Sequence, residues 1–110
     1  MQNVVSDEKV AAALNYLTST DEDAARAKAL LEGLELKKKT IIAVAYSNST
    51  EKGVKDKEMD AYMSNEYMDL CSDIQNAVLD LEIYRNKRKR AELTVEVWRS
   101  IQANQRKGNI

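Results

Sequence analysis

Apolar side chains recur at every third or fourth position along three stretches of this sequence, which is the spacing of one face of an α-helix. We predict helices over residues 7–17, 21–46 and about 57–104. Ser6 is a suitable N-cap for the first helix, because its hydroxyl can accept a hydrogen bond from the first turn. The Thr-Ser-Thr run at 18–20 is expected to break the chain between the first two helices, since hydroxyl side chains compete for backbone hydrogen bonds.

The third stretch is the longest and carries a heptad pattern, with alternating spacings of four and three. Its positions are Met63, Tyr67, Leu70, Ile74, Ala77, Leu81, Tyr84, Arg88, Ala91, Val95, Trp98 and Gln102. The polar segment 47–53 is predicted to be the loop at which the chain reverses direction. The predicted fold is therefore all-α. It is an antiparallel helical hairpin or coiled coil with a short N-terminal helix, one long C-terminal helix and a flexible tail over 105–110.

In such a hairpin the second helix covers the long helix only as far as about Leu81. Either the first helix folds along the remaining half, or a second chain does, and on this ground we expect a homo-oligomer of two or more chains. Trp98 is either an anchor of that interface or an ordinary core residue. The candidate interface residues on the uncovered half are Tyr84, Ala91, Val95, Trp98 and Ile101.

Composition agrees with a single helical domain of 110 residues, because the chain has no Pro and 3 Gly. Gly33 lies inside the second predicted helix. It either permits close approach of another helix or weakens its own helix by about 1 kcal/mol relative to Ala.

The charges divide unevenly along the sequence. Residues 1–84 carry 9 Lys and Arg against 16 Asp and Glu, a balance of −7, and residues 85–110 carry 8 against 2, a balance of +6. A basic segment on an acidic body suggests an anionic partner or neutralisation within the protein. The candidate nucleic-acid contacts are Arg85, Lys87, Arg88, Lys89, Arg90, Arg99, Arg106 and Lys107. The alternative is a solvated collar that nearby carboxylates, such as those at 21–23, partly neutralise.

The chemistry needed for catalysis is sparse. The chain has no His, and its one cysteine, Cys71, lies between Asp69 and Asp73, which disfavour a reactive thiolate. We expect no enzyme activity, metal, cofactor or small-molecule substrate, with a carboxylate-dependent hydrolase as the weakest alternative. The first residues lack the features of a signal peptide, and no apolar stretch approaches the ~18 residues of a membrane span, so we expect a cytoplasmic protein without membrane contact.

The C-terminal part resembles small helical proteins encoded by tailed bacteriophages and prophages. The resemblance lies in Tyr67, the run Tyr84-Arg85-Asn86-Lys87-Arg88-Lys89-Arg90-Ala91-Glu92, the element Val97-Trp98-Arg99-Ser100 and the tail Asn104-Gln105-Arg106-Lys107-Gly108. It implies a phage accessory protein associated with DNA replication or recombination, and it implies no site residues.

These observations predict a non-enzymatic accessory protein that oligomerises. It would contact nucleic acid, or an enzyme that processes nucleic acid, through the basic C-terminal helix. The alternative is a protein-interaction module, such as an inhibitor of a host system or a virion assembly adaptor, that uses the apolar face around Trp98.

Overall fold

A computed structural model describes residues 5–108 as helices joined by short connections, with no strand among those residues. The helices are α1 (Asp7–Ser47), α2 (Val54–Tyr62) and α3 (Asn65–Gly108). The predicted all-α hairpin class is confirmed, and the chain reverses where the polar loop was predicted. Ser6 caps α1 as expected, since the backbone N–H of Lys9 donates to its Oγ at 3.2 Å.

The predicted break at 18–20 is wrong, and the short N-terminal helix is instead the first part of α1. The three hydroxyls turn inward to the helix. Thr18 donates to the carbonyl oxygen of Leu14 at 3.0 Å, and Ser19 and Thr20 donate to that of Tyr16 at 3.3 and 2.6 Å. Bonded in this way, the side chains leave the backbone ladder intact, so α1 continues through them.

The third predicted helix is interrupted near its start. Ser64 separates α2 from α3, because its hydroxyl donates to the carbonyl oxygen of Ala61 at 2.7 Å and accepts from the backbone N–H of Tyr67 at 3.3 Å. One serine thus closes the first helix and caps the next. The predicted tail over 105–110 is also wrong for 105–108, which belong to α3, while 109 and 110 lie outside the described residues.

The chain divides into two compact units, and each is described by itself. The terminal unit contains residues 1–25 and 82–110, and the central unit contains residues 26–81. In the terminal unit, the start of α1 packs antiparallel to the end of α3 around a small core. The core residues are Val5, Val10, Ala13, Ala91 and Val95, with Tyr16, Leu17 and Trp98 packed against them.

In the central unit, the buried apolar residues are Ala61, Leu70, Ile74, Ala77 and Leu81. Four of them are heptad positions, so the predicted apolar face of the long helix is confirmed there. Many large apolar side chains of this unit remain exposed, among them Leu36, Val44 and Met63. A Cβ added at Gly33 would meet no atom within 4 Å, so this glycine serves no close helix contact.

A cationic groove in the terminal unit

The far half of α3 is covered by the chain itself, which is one of the two arrangements the sequence left open. The indole Nε1–H of Trp98 donates to Asp7 Oδ1 at 3.0 Å, at the start of α1. Ala91 and Val95 are buried in the core of this unit, and Trp98 packs against it. The missing cover was the reason for expecting a second chain. That reason no longer applies, although oligomerisation itself stays a prediction.

The remaining candidate interface residues are only partly available. Tyr84 and Ile101 are half-buried, as is Trp98. The five residues therefore do not form the open apolar face that the sequence suggested, because their best-buried members face α1 of the same chain.

Folding also evens out the charge division seen along the sequence. The terminal unit carries 9 Lys and Arg against 8 Asp and Glu, a balance of +1, because the acidic start of α1 lies in the same unit as the basic end of α3. Net charge therefore does not distinguish this unit as a basic body. What distinguishes it is where the individual cations lie.

Arg88 is committed to contacts within the chain. Its Nη1 donates to the carbonyl oxygen of Leu17 and to the hydroxyl of Thr20, both at 2.9 Å, and its Nη2 lies 3.2 Å from Asp21 Oδ1. Its side chain is 21% exposed. The neutralisation considered as the alternative to phosphate binding is found at this residue, so Arg88 fits a structural role better than a ligand contact.

Arg85 is also paired, but at the surface. Its Nη1 lies 2.8 Å from Glu82 Oε1, one helical turn away, and both side chains are about half exposed. A solvated pair of this kind is worth little and opens easily, so Arg85 remains available to an anion at a small cost.

Two other cations of the basic run open onto a groove between α1 and α3. The groove has a volume of about 390 Å³. It is lined by Lys9, Ala12, Ala13 and Tyr16 of α1 and by Lys87, Arg90, Ala91 and Thr94 of α3. Lys9, Lys87 and Arg90 are exposed, and no carboxylate within residues 5–108 lies within ion-pair distance of them.

The floor of this groove is made of small and aromatic side chains. Ala12, Ala13 and Ala91 leave space between the helices, and Tyr16 is half-buried against the core of the unit. Thr94 donates its hydroxyl to the carbonyl oxygen of Arg90 at 3.0 Å, which leaves its lone pairs facing outward. The groove thus combines an apolar floor with three cations at its rim, which suits an anion that carries an apolar part.

The other predicted cations lie outside the groove lining. Lys89 and Arg99 are exposed on α3, and Arg106 and Lys107 occupy its last turn, where positive charge opposes the helix dipole. The structure therefore brings together Lys87 and Arg90 of the predicted set and leaves the others apart from them.

Sequence reasoning missed Lys9 and Tyr16 as possible site residues. Both come to the groove only because α1 continues past residue 20 and turns the same side toward α3. A helical repeat of 3.6 residues carried from Lys9 through Tyr16 would have shown that they share a face.

The described residues contain no group of three or more Asp, Glu or Cys placed to hold a metal ion. Within the same residues, no helix is both long enough and apolar enough to cross a membrane. Comparisons with protein-family models, with curated proteins and with solved structures find no match to this chain.

Proposed function

We propose that this chain is a non-enzymatic accessory protein of a tailed bacteriophage or prophage, and that it contacts nucleic acid through the groove of the terminal unit. The phage origin rests on the resemblance of the C-terminal part. Its action is binding alone, and a self-association of the chain would add to it by multiplying the contacts.

The observation that carries the proposal is the convergence of Lys9, Lys87 and Arg90 on one groove, from two helices and without a carboxylate partner among residues 5–108. Unpaired cations held on rigid helices neutralise phosphates with little rearrangement, and the release of counterions supplies most of the non-specific affinity. No base-reading motif accompanies them, so the expected binding is independent of sequence.

The test is a fluorescence anisotropy titration of labelled DNA and RNA oligonucleotides at low salt. Wild type should bind in a salt-sensitive way. Exchanging Lys9, Lys87 and Arg90 for Gln should lower the affinity at least tenfold. A control variant that exchanges three exposed lysines of the central unit, Lys37, Lys52 and Lys55, removes the same net charge and should bind almost as well as wild type. Absence of salt-sensitive binding by wild type would rule out the proposal.

A second candidate, a protein-interaction module, is favoured by a separate groove in the central unit. This groove has a volume of about 360 Å³, and Ile41, Val44 and Met63 form its apolar part while Asp60 and Glu66 contribute carboxylates. Val44 and Met63 are 54% and 70% exposed. Apolar side chains beside carboxylates fit a partner segment that carries a basic residue next to apolar ones, and Met side chains adapt readily to such a segment.

The two candidates separate in a capture experiment from nuclease-treated host lysate. Under the second candidate, a captured protein is lost with Val44→Asp and Met63→Asp but is kept by the Lys9, Lys87 and Arg90 variant. If the groove variant of the terminal unit loses the same protein, the capture depends on nucleic acid and the second candidate fails.

A further inference from the structure

The groove of the terminal unit contains more than a phosphate needs. A phosphate requires cations at the surface, and Lys9, Lys87 and Arg90 provide them at the rim. Beneath them lies a space floored by Ala12, Ala13 and Ala91, whose side chains are the shortest that still bear a Cβ. A volume of about 390 Å³ lies at the lower end of the range for small-ligand sites, which is larger than a bound phosphate alone explains.

Tyr16 gives this space an aromatic wall. It lines the groove and at the same time packs against the core of the unit, so its ring is held in place by Val10, Ala13 and their neighbours rather than moving freely in solvent. An aromatic ring in a positively charged groove is the feature on which unpaired bases stack, whatever their sequence.

A duplex cannot use such a space, because its bases are paired and stacked on one another and only its backbone reaches the groove. A single strand can place a base there while its flanking phosphates meet the rim. We infer that the groove takes single-stranded nucleic acid, with one unpaired base on the alanine floor beside Tyr16 and phosphates at Lys9, Lys87 and Arg90. This inference rests on the proposed function and narrows it.

The hydroxyl of Thr94 and the phenol of Tyr16 are the polar groups near the floor, other than the cations. Neither presents the paired donors and acceptors that identify one base, so the site should accept any base and prefer those that stack well. Both DNA and RNA strands fit this chemistry, and the experiment includes each of them.

The experiment measures anisotropy with the full chain at low salt. The probes are labelled oligothymidylate and oligouridylate of about 15 nucleotides and a DNA duplex of the same length. Single strands should bind at least tenfold more tightly than the duplex. Tyr16→Leu should weaken single-strand binding roughly 5- to 150-fold, which corresponds to the loss of one base–aromatic stack, and should leave duplex binding unchanged. Tyr16→Phe should keep the affinity.

A second variant guards against loss of folding at Tyr16. Ala12 is exposed, and Leu is a good helix former, so Ala12→Leu fills the floor without disturbing α1. It should lower single-strand affinity about tenfold and leave duplex binding as it is. Equal binding of strands and duplex, or strand binding that ignores both Tyr16→Leu and Ala12→Leu, overturns the inference while the proposed function stands. Absence of salt-sensitive binding to all three probes overturns both.

Discussion

The guanidinium of Arg88 donates a hydrogen bond from Nη1 to the hydroxyl oxygen of Thr20, at 2.9 Å, from α3 to α1. The same hydroxyl donates to the carbonyl oxygen of Tyr16, so it links the helix ladder of α1 to the side chain of α3. This bond joins the residue expected to bind nucleic acid to the residue expected to start a helix. It explains both corrections, because each side chain is used for packing α1 against α3.

Arg88→Met should therefore act on stability. It removes hydrogen bonds to Leu17, Thr20 and Asp21, but the chain keeps partners for the first two acceptors, so we expect a loss of about 1–2 kcal/mol in the free energy of unfolding. The measurement is urea unfolding followed by the fluorescence of the single tryptophan, Trp98. Arg85→Met, which loses only a solvated pair, is the matched control and should change stability by less than about 0.5 kcal/mol. Equal effects of the two substitutions would contradict the structural role of Arg88.

Ser19→Pro tests the continuity of α1. In the middle of a helix proline removes a backbone hydrogen bond and clashes with the preceding turn, so the substitution should cost about 3 kcal/mol or more and lower the helical circular dichroism signal. Ser19→Ala keeps the helix and should be neutral or slightly stabilising, because Ala has the higher helix propensity. A chain with a break at 18–20 would tolerate the proline.

Gly33→Ala should stabilise the protein. The added methyl group meets no atom within 4 Å, and Ala gains roughly 0.5–1 kcal/mol over Gly inside a helix. The midpoint of thermal unfolding should rise accordingly. A lower midpoint would mean that a close contact at Gly33 forms in solution.

Tyr67 should titrate late. Its hydrogen bond to Cys71, its desolvation and the negative charge of the Cys71 thiolate raise the pKa of Tyr67 above the ordinary value of 10.0. Since the fold favours the neutral phenol, the stabilisation is present below pH 10 and is lost as the pH rises through the raised pKa. An ultraviolet titration of the tyrosines should show a late phase that Tyr67→Phe removes and that Cys71→Ala shifts to lower pH. An unchanged curve for Cys71→Ala would contradict the role of the thiol.

Much of the fold could be predicted because burial follows helical spacing. The heptad residues Leu70, Ile74, Ala91 and Val95 are buried as the pattern required, and Ser6 caps α1 as its hydroxyl predicts. Local signals of this kind need no knowledge of the rest of the chain.

The errors arose where one side chain has two possible uses. The hydroxyls at 18–20 can end a helix or bond back into it, and contact with Arg88 favours the second use. The cations at 85–90 looked equivalent in the sequence, and only the placement of α1 separates Lys87 and Arg90 at the groove from Arg88 in the packing. Such choices depend on residues about 70 positions away, which a local pattern does not contain.

The central claim is that the groove-facing cations, and not the basic run as a whole, contact phosphates. The most direct measurement is the dependence of log affinity on log salt for a single-stranded oligonucleotide, compared between two double variants of the run. Lys87→Gln with Arg90→Gln removes the groove pair, and Arg85→Gln with Lys89→Gln removes the same charge from outside the groove. We predict that the groove pair lowers the slope by about 1.4, at roughly 0.7 per phosphate, and that the other pair leaves it close to wild type. Equal slopes for the two variants would contradict the claim.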